Sequence, residues 1–475
     1  MEHAPTLSVN VPLETEVIHR HGDLVTGTRY AKGQGIIIAM DVRKADWPAL
    51  LDLPKKTKVC WSDVRTVDIQ ELSPLPWSIR YRVTLGDGWY KDASGAKKTF
   101  GVGAHLVGID LDRGLTEVGL RAVVLLTVMG GLGVRTVAWF MGELFHVVLS
   151  KSAVERHVQE CAGQLPDAAG MARALNADKP IIYMHMDEIF GVGQRPKPCT
   201  VVLRDQYGRI FAVKELLERT EESVAEFLRE VKSWGITPQA VYMDGCVAYR
   251  NAVRTVFPGA AIQYDYFHVI QNIWKKLWKE VLERRRDLKK RALDSASKAY
   301  SGHLLALAHR LWEKRYLLFK RDENMSPEER EDLLDTMTSD TVVLTVRKFA
   351  EAVWHIFNMS KSADEAKLSL EALRARPEVK KDSVYDKVVT FLDDRFEDMT
   401  AYLRCPHMQR NSLAETGIRL LRRMEQGHDG FRSADGLDRH LRIYQAVRYL
   451  GWSVHRFHPG LGLVPKTLVE DAAPS

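Results

Sequence analysis

Between residues 181 and 293 the chain alternates short β-favouring runs with helical stretches, and the order in which they come leaves few folds open. "IIYMHMD" is a β run, and "CTVVLRD" and "RIFAVKE" flank the turn "QYG" as an antiparallel hairpin. "EESVAEFLREVKSWG" is an amphipathic helix stopped by Gly235. "QAVYMD" is the next strand, "VAYRNAVRTVF" a helix, "AAIQYD" a strand and "FHVIQNIWKKLWKEVLERRR" a long helix. The order β-β-β-α-β-α-β-α predicts an α/β core around a mixed five-stranded sheet with helices.

The first strand of this block ends on Asp187 and the fourth on Asp244. If those strands are neighbours, both carboxylates emerge close together at one edge of the sheet. They then repel, and each raises the pKa of the other unless a cation sits between them. Mg²⁺ suits that place, being a hard ion that takes oxygen ligands and keeps several waters. An octahedral pair of ions needs at least one more carboxylate, and the helix "NSLAETGIRLLRRMEQG" offers Glu415. Each residue taken singly also suits a structural role. Asp187–Glu188 and Asp244–Gly245 read as turn pairs, and Glu415 lies at capping-box spacing from Ser412. Their joint placement favours chemistry: first strand, fourth strand, and a helix that follows an inserted helical block.

Residues 1–112 read as a β-rich module, with "GIIIAM", "TKVCW", "SIRYRVTL" and "HLVGIDL" separated by turn residues. From 113 to 170 the pattern is helical. "TEVGLRAVVLLTVM" is apolar around most of its circumference, "GGLG" interrupts it, and "VRTVAWFMGELFHVV" and "LSKSAVERHVQECA" follow. Ser152 and Glu155 have capping-box spacing at the start of the third helix. This pattern suits a helix-turn-helix DNA-binding domain, with Lys151, Arg156 and His157 near the start of the recognition helix. A plain three-helix packing unit has the same pattern. Residues 163 to 180 read as a linker into the core, whose first part is assigned to 171–270.

Residues 271–404 are an almost wholly helical insertion, 405–455 supply the last helices of the core, and 456–475 form a tail. Trp274, Leu277, Trp278 and Val281 make one apolar stripe. Lys275, Lys276 and Lys279 begin a run to Arg291 with nine positive and three negative residues in 17, which suits a phosphate-binding face as well as a solvated one. Arg419, Arg422 and Arg423 form a second basic cluster. The net charge of +6 over 475 residues permits nucleic acid as a partner without requiring it.

The five cysteines are scattered, so neither a C-x-x-C zinc motif nor a local disulfide framework is visible, which fits a reducing cytoplasm. The N-terminal residues lack a basic region followed by an apolar one, and the longest apolar run, residues 122 to 134, is too short to span a bilayer. The expectation is a soluble cytoplasmic protein with no membrane partner.

The element order, with acidic residues at these stations, resembles the ribonuclease H-like fold of DDE transposases. "MDEIFG", "YMDGCVAYRNAVRTVFPGAAIQYDYFHVIQN" and "RNSLAETGIRLLRRMEQGHDGFRS" look like the catalytic segments of ISL-three family insertion-sequence transposases, over roughly residues 180 to 450. The Asp…Pro-x-Ala…Asp-x-Phe-His-Val string is the most specific part. The resemblance implies that Asp187, Asp244 and Glu415 are the catalytic, metal-binding triad. Asp265 and His268 match the Asp-x-Phe-His-Val string, and His268 then meets a phosphate, supports the metal site or merely packs at a helix start.

It further implies two Mg²⁺ ions, with Mn²⁺ as a substitute, that promote hydrolysis at transposon ends and 3′-OH strand transfer into target DNA. Double-stranded DNA and a homodimer or larger assembly are the implied partners. Two departures stand out. The family usually opens with a Cys-rich zinc ribbon, which Cys60 alone cannot form, and Thr416 and Ile418 stand where it tends to carry Gly and Asn. A non-catalytic transposase-derived DNA-binding or scaffold protein, and a structure-specific nuclease on the same fold, are the alternatives.

Overall fold

The computed structural model describes residues 16–31, 35–72, 78–102, 109–110, 114–190, 199–405, 408–409, 419–423, 434–453 and 464–465. The N-terminal module is a sheet of seven strands: β1 (Val25–Ala31), β2 (Gly35–Asp41), β3 (Cys60–Glu71), β4 (Ile79–Lys91), β5 (Lys97–Phe100), β6 (Ile109–Asp110) and β7 (Leu115–Thr116). They run in the order β1-β2-β4-β3-β7-β6, with β5 paired to β4. Burial alternates along β4, where Ile79, Tyr81, Val83 and Leu85 point inward. They meet Ile38, Met40 and Ile69 under a lid formed by Trp47, whose indole donates to the Val42 carbonyl at 2.9 Å. The expected strands "GIIIAM" and "SIRYRVTL" are β2 and β4, whereas β1 and the length of β3 were not foreseen.

After α1 (Glu16–His21) and α2 (Trp47–Leu50) within the module, three helices follow: α3 (Glu117–Val124), continued by a wider π-type turn over Leu125–Met129, α4 (Val134–Phe145) and α5 (Lys151–Gly163). Leu120, Val123, Val137, Met141 and Val154 form their shared core. Buried Glu71 ties this unit to the first sheet. It accepts from the Thr116 hydroxyl at 2.7 Å, while Thr116 caps α3. The N-cap of α5 is Ser150, which accepts from the Ala153 amide, so the Ser152–Glu155 capping box is not formed. The stretch expected as a linker holds α6 (Ala168–Asp178), capped by Asp167. Its buried Met171, Ala172 and Leu175 pack on the core, and that apolar spacing outweighs the Gly- and Pro-containing flanks.

The central sheet has five strands: β8 (Tyr183–Phe190), β9 (Cys199–Asp205), β10 (Ile210–Leu216), β11 (Ala240–Met243) and β12 (Ala261–Tyr264), in the order β10-β9-β8-β11-β12. The first three pair antiparallel, and β11 is parallel to both β8 and β12. On one face Met184, Met186 and Leu203 pack with α7 (Glu221–Ser233) and α8 (Val247–Val256) through Phe227, Leu228 and Val253. On the other, Ile189, Val202 and Ile210 meet Ile443 and Ala446 of the helix Ala434–Arg448. Gly235, at φ +85°, turns the chain from α7 into β11 where an L side chain is strained.

The helix α9 (Tyr266–Leu293) starts one residue after the Asp265 cap and runs unbroken into the helical block. The expected boundary at 271 therefore falls inside one helix. The block continues with α10 (Lys298–Glu313), α11 (Pro327–Ser339), α12 (Thr341–Asn358), α13 (Ala363–Arg374) and α14 (Val384–Asp393). Trp274 and Trp278 are partly buried and Leu277 and Val281 fully so, as the apolar stripe predicts. Beyond the block the chain returns to the sheet, where the Gln409 amide donates to the Tyr242 hydroxyl at 2.9 Å. Within the expected tail, Val464–Pro465 pairs with Trp452–Ser453 as a short antiparallel bridge.

Candidate active site

Strands β8 and β11 lie side by side in parallel, with Tyr183 opposite Ala240, Met184 opposite Val241 and His185 opposite Tyr242. The His185 and Tyr242 rings stack on one face, with centroids 4.3 Å apart. Side chains return to the same face every second residue. Two residues further on, Asp187 lies on β8 and Asp244 just past the end of β11, close enough that the charge of Asp244 acts on Asp187. The two strands are thus the neighbours that the sequence reading required. One detail differs: β8 continues to Phe190, so Asp187 lies within the strand, paired with Val202 of β9.

The carboxylate of Asp187 is pushed up to about 6 from an ordinary 3.8. Burial is the main cause, and the charges of Asp244 and Glu188 add to it. The backbone N–H of Glu188, 2.7 Å from Oδ1, and the nearby His268 work in the opposite direction. Asp244 accepts from the Cys246 amide at Oδ1, 3.2 Å, and from Arg219 Nη2 at Oδ2, 3.3 Å. Asp265 sits on the adjacent strand end. Its amide donates to the Met243 carbonyl, and its carboxylate caps α9 by accepting from the Phe267 amide at 2.8 Å. His268 occupies the first turn of that helix, half-buried.

Glu188 points to the opposite face from Asp187 and is fully engaged. Oε1 meets Arg219 Nη2 at 2.6 Å, and Oε2 accepts from the Tyr249 hydroxyl at 2.5 Å and from Cys199 Sγ at 3.3 Å. Burial pushes the Cys199 thiol up to about 11, and burial together with Glu188 pushes the Tyr249 hydroxyl up further. Both therefore stay protonated donors, and Glu188 acts as the hub of a buried support. Its adjacency to Asp187 was legible in the sequence. The roles of Arg219, Tyr249 and Cys199 were not, because only the sheet order brings them to this corner.

Among the described residues no group of three or more His, Cys, Asp or Glu side chains is gathered closely enough to hold a metal ion by itself. The donor set nonetheless fits one in chemistry. Asp187 and Asp244, carboxylates from adjacent strands of which one raises the other's pKa, would supply hard oxygen ligands of the kind that Mg²⁺ takes. Glu415 lies outside the described residues, as do Thr416 and Ile418.

A family model described as "Transposase", that of the ISL-three DDE group, matches residues 184–438, more than half of the chain. The chain belongs to the ISL-three family of DDE transposases. None of the curated proteins matches this transposase. Among solved structures it is similar to a Drosophila P element transposase strand transfer complex, at 12% identity and a TM-score of 0.37, covering 75% of this chain and 94% of that one. The HTLV-2 integrase catalytic core domain in complex with magnesium is similar at 16% identity and a TM-score of 0.15, covering 31% of this chain and 91% of that one. Both likenesses are too slight to bear on the arrangement of the site.

The basic residues of the transposase divide by environment. Arg156 is exposed on α5, whereas Lys151 pairs with Glu155 at 3.5 Å. His157 is buried at 3% exposure with Nδ1 3.9 Å from Glu160, so its ring is withdrawn from the surface where a recognition residue would stand. Its position on α5 falls on the same stripe as Val154 and Cys161, which a reading by charge alone overlooks. On α9, Lys275 and Lys279 are exposed, but Lys276 is half-buried with Nζ 5.7 Å from the Phe391 ring centre. Arg284 is bound to Asp340 and Arg285 to the Ala308 carbonyl. Arg419, Arg422 and Arg423 are exposed around buried Leu421. Among the described residues no helix is long and apolar enough to cross a membrane.

Proposed function

We propose that this transposase, encoded by a bacterial insertion sequence and working in the cytoplasm, cleaves transposon ends and joins the freed 3′-OH to target DNA. The central sheet is its ribonuclease H-like catalytic core, and Asp187, Asp244 and Glu415 are its metal-binding carboxylates. The observation that carries this reading is the pairing of β8 with β11, which brings the two aspartates near enough that Asp244 and His268 both act on the Asp187 carboxylate. Glu415 is supported by its two anchors. Gln409 is bonded to Tyr242, whose ring stacks on His185, and Leu421 is buried in the same cluster as Ile189 and Val202.

Bound at these carboxylates, Mg²⁺ or Mn²⁺ supplies activation of water and neutralisation of charge at the leaving 3′ oxygen. The chain's own residues prepare that place. Asp187 and Asp244 are fixed by backbone N–H groups of Glu188 and Cys246, so their oxygens are oriented before any ligand arrives. Asp265 fixes the start of α9 and thereby the position of His268.

DNA is gripped in three places. The α3–α5 unit serves as a helix-turn-helix that reads the terminal repeat with Arg156 and Lys151. The exposed Lys275 and Lys279 of α9, and Arg419, Arg422 and Arg423, hold the backbone of double-stranded DNA without reading it. Two ends must be held at once, so the working form is a dimer or larger assembly.

The test is a gel assay with end-containing DNA, target plasmid and Mg²⁺. Joined product supports the reading, cut product alone makes the protein a nuclease, and a mobility shift alone makes it a binding protein. Asp244→Asn should abolish cleavage and joining and leave end binding within a few-fold. Cleavage retained by that variant in Mg²⁺ removes the assignment.

A further inference from the structure

Arg219 joins two carboxylates that have different surroundings. One nitrogen, Nη2, lies 2.6 Å from Glu188 Oε1 and 3.3 Å from Asp244 Oδ2. The Glu188 side chain is 10% exposed and that of Asp244 28%. The guanidinium also lies over the Tyr249 ring, 5.1 Å from its centre, and Tyr249 itself donates to Glu188. The strong, buried half of this bridge is therefore Glu188, and the weaker, wetter half is Asp244.

We propose, on the reading of Asp187 and Asp244 as metal ligands, that Arg219 is a positioning residue which neutralises Asp244 in the metal-free transposase and must yield it for a divalent cation to bind. The cation and the guanidinium both seek Asp244 Oδ2. The Arg219–Glu188–Tyr249 arrangement does not depend on that oxygen, so Arg219 stays anchored when it lets go. Its presence holds the Asp244 carboxylate in place, and it sets a threshold of metal concentration below which the site stays unloaded. Glu188 is thus the anchor of the latch, with neither oxygen available as a ligand.

Removing a cation this close to a ligand should strengthen metal binding by about ten-fold, the size of effect that a charge within a few ångströms has on a carboxylate equilibrium. The experiment measures Mn²⁺ affinity of the full chain without DNA, by calorimetry and by paramagnetic resonance, for wild type, R219Q, R219K and D187N. Tighter binding in R219Q supports the latch, with R219K, which keeps the charge without the guanidinium bridge, falling at or between wild type and R219Q. Unchanged or weaker binding in R219Q overturns the proposal. D187N separates the two readings. If wild-type binding persists unaltered in D187N, the metal site lies elsewhere and both fall, whereas loss in D187N with no gain in R219Q and R219K sinks only the latch. Retained tryptophan fluorescence and circular dichroism confirm that each variant is folded.

Discussion

Replacing Asp187 by Asn tests whether this corner of the sheet is under electrostatic load in the absence of metal. The carboxylate's value of about 6 lies above the ordinary 3.8, so protonation favours the folded state. The stabilisation is complete below pH ~3.8 and is lost as pH rises through about 6. At ~1.4 kcal/mol per pH unit, that displacement costs the metal-free sheet about 3 kcal/mol at pH 8. Hydrogen exchange of the β8 and β11 amides reads this locally, once corrected for the intrinsic pH dependence of exchange. Wild-type protein should lose about 2.5 kcal/mol of protection between pH 4 and pH 8, and D187N should lose far less. Millimolar Mg²⁺ should restore protection in wild type at pH 8 and leave D187N unmoved. An identical pH slope in the two proteins would refute the account of Asp187 as a carboxylate held against its charge.

Other outcomes follow from the same geometry. His157→Ala should lower stability by about 1–3 kcal/mol, measured by urea unfolding, because its ring is buried. Arg156→Ala should weaken binding to end DNA with little change in stability. Affinity for DNA should fall steeply with salt, and the double change Lys275→Gln, Lys279→Gln should reduce the slope of log K against log salt by about 2. Lys276→Gln should alter that slope less, since its ammonium lies against Phe391.

Much of the architecture could be read from periodicity. The runs ending at Asp187 and Asp244 are adjacent strands, the "QYG" turn closes a hairpin, and the Trp274–Val281 stripe is buried. What failed did so for local reasons. The α6 helix was hidden by the Gly and Pro around it, and Ser150 outcompeted Ser152 as the cap of α5. His157 was read by its chemistry although its helical position is apolar. Arg219, Tyr249 and Cys199 come from three separate elements, and no spacing in the sequence announces that they meet at Glu188. A contact of that kind depends on strand order, which local pattern does not encode.

Helix α9 is 28 residues long, or about 42 Å at 1.5 Å per residue. Its cap Asp265 and its first-turn His268 lie at the carboxylate corner, and its remaining turns carry Lys275, Lys279 and part of the packing core of the helical block. No break separates the two ends. A rigid rod so placed is an axle: a tilt of the distal block by a few degrees, such as the proposed contact with DNA would impose, turns the near end with it. On the proposed reading, grip and chemistry are geared to each other through one piece of backbone, and a helix-breaking proline at the exposed Asn272, between His268 and Lys275, would disengage the gear without removing a residue of either end.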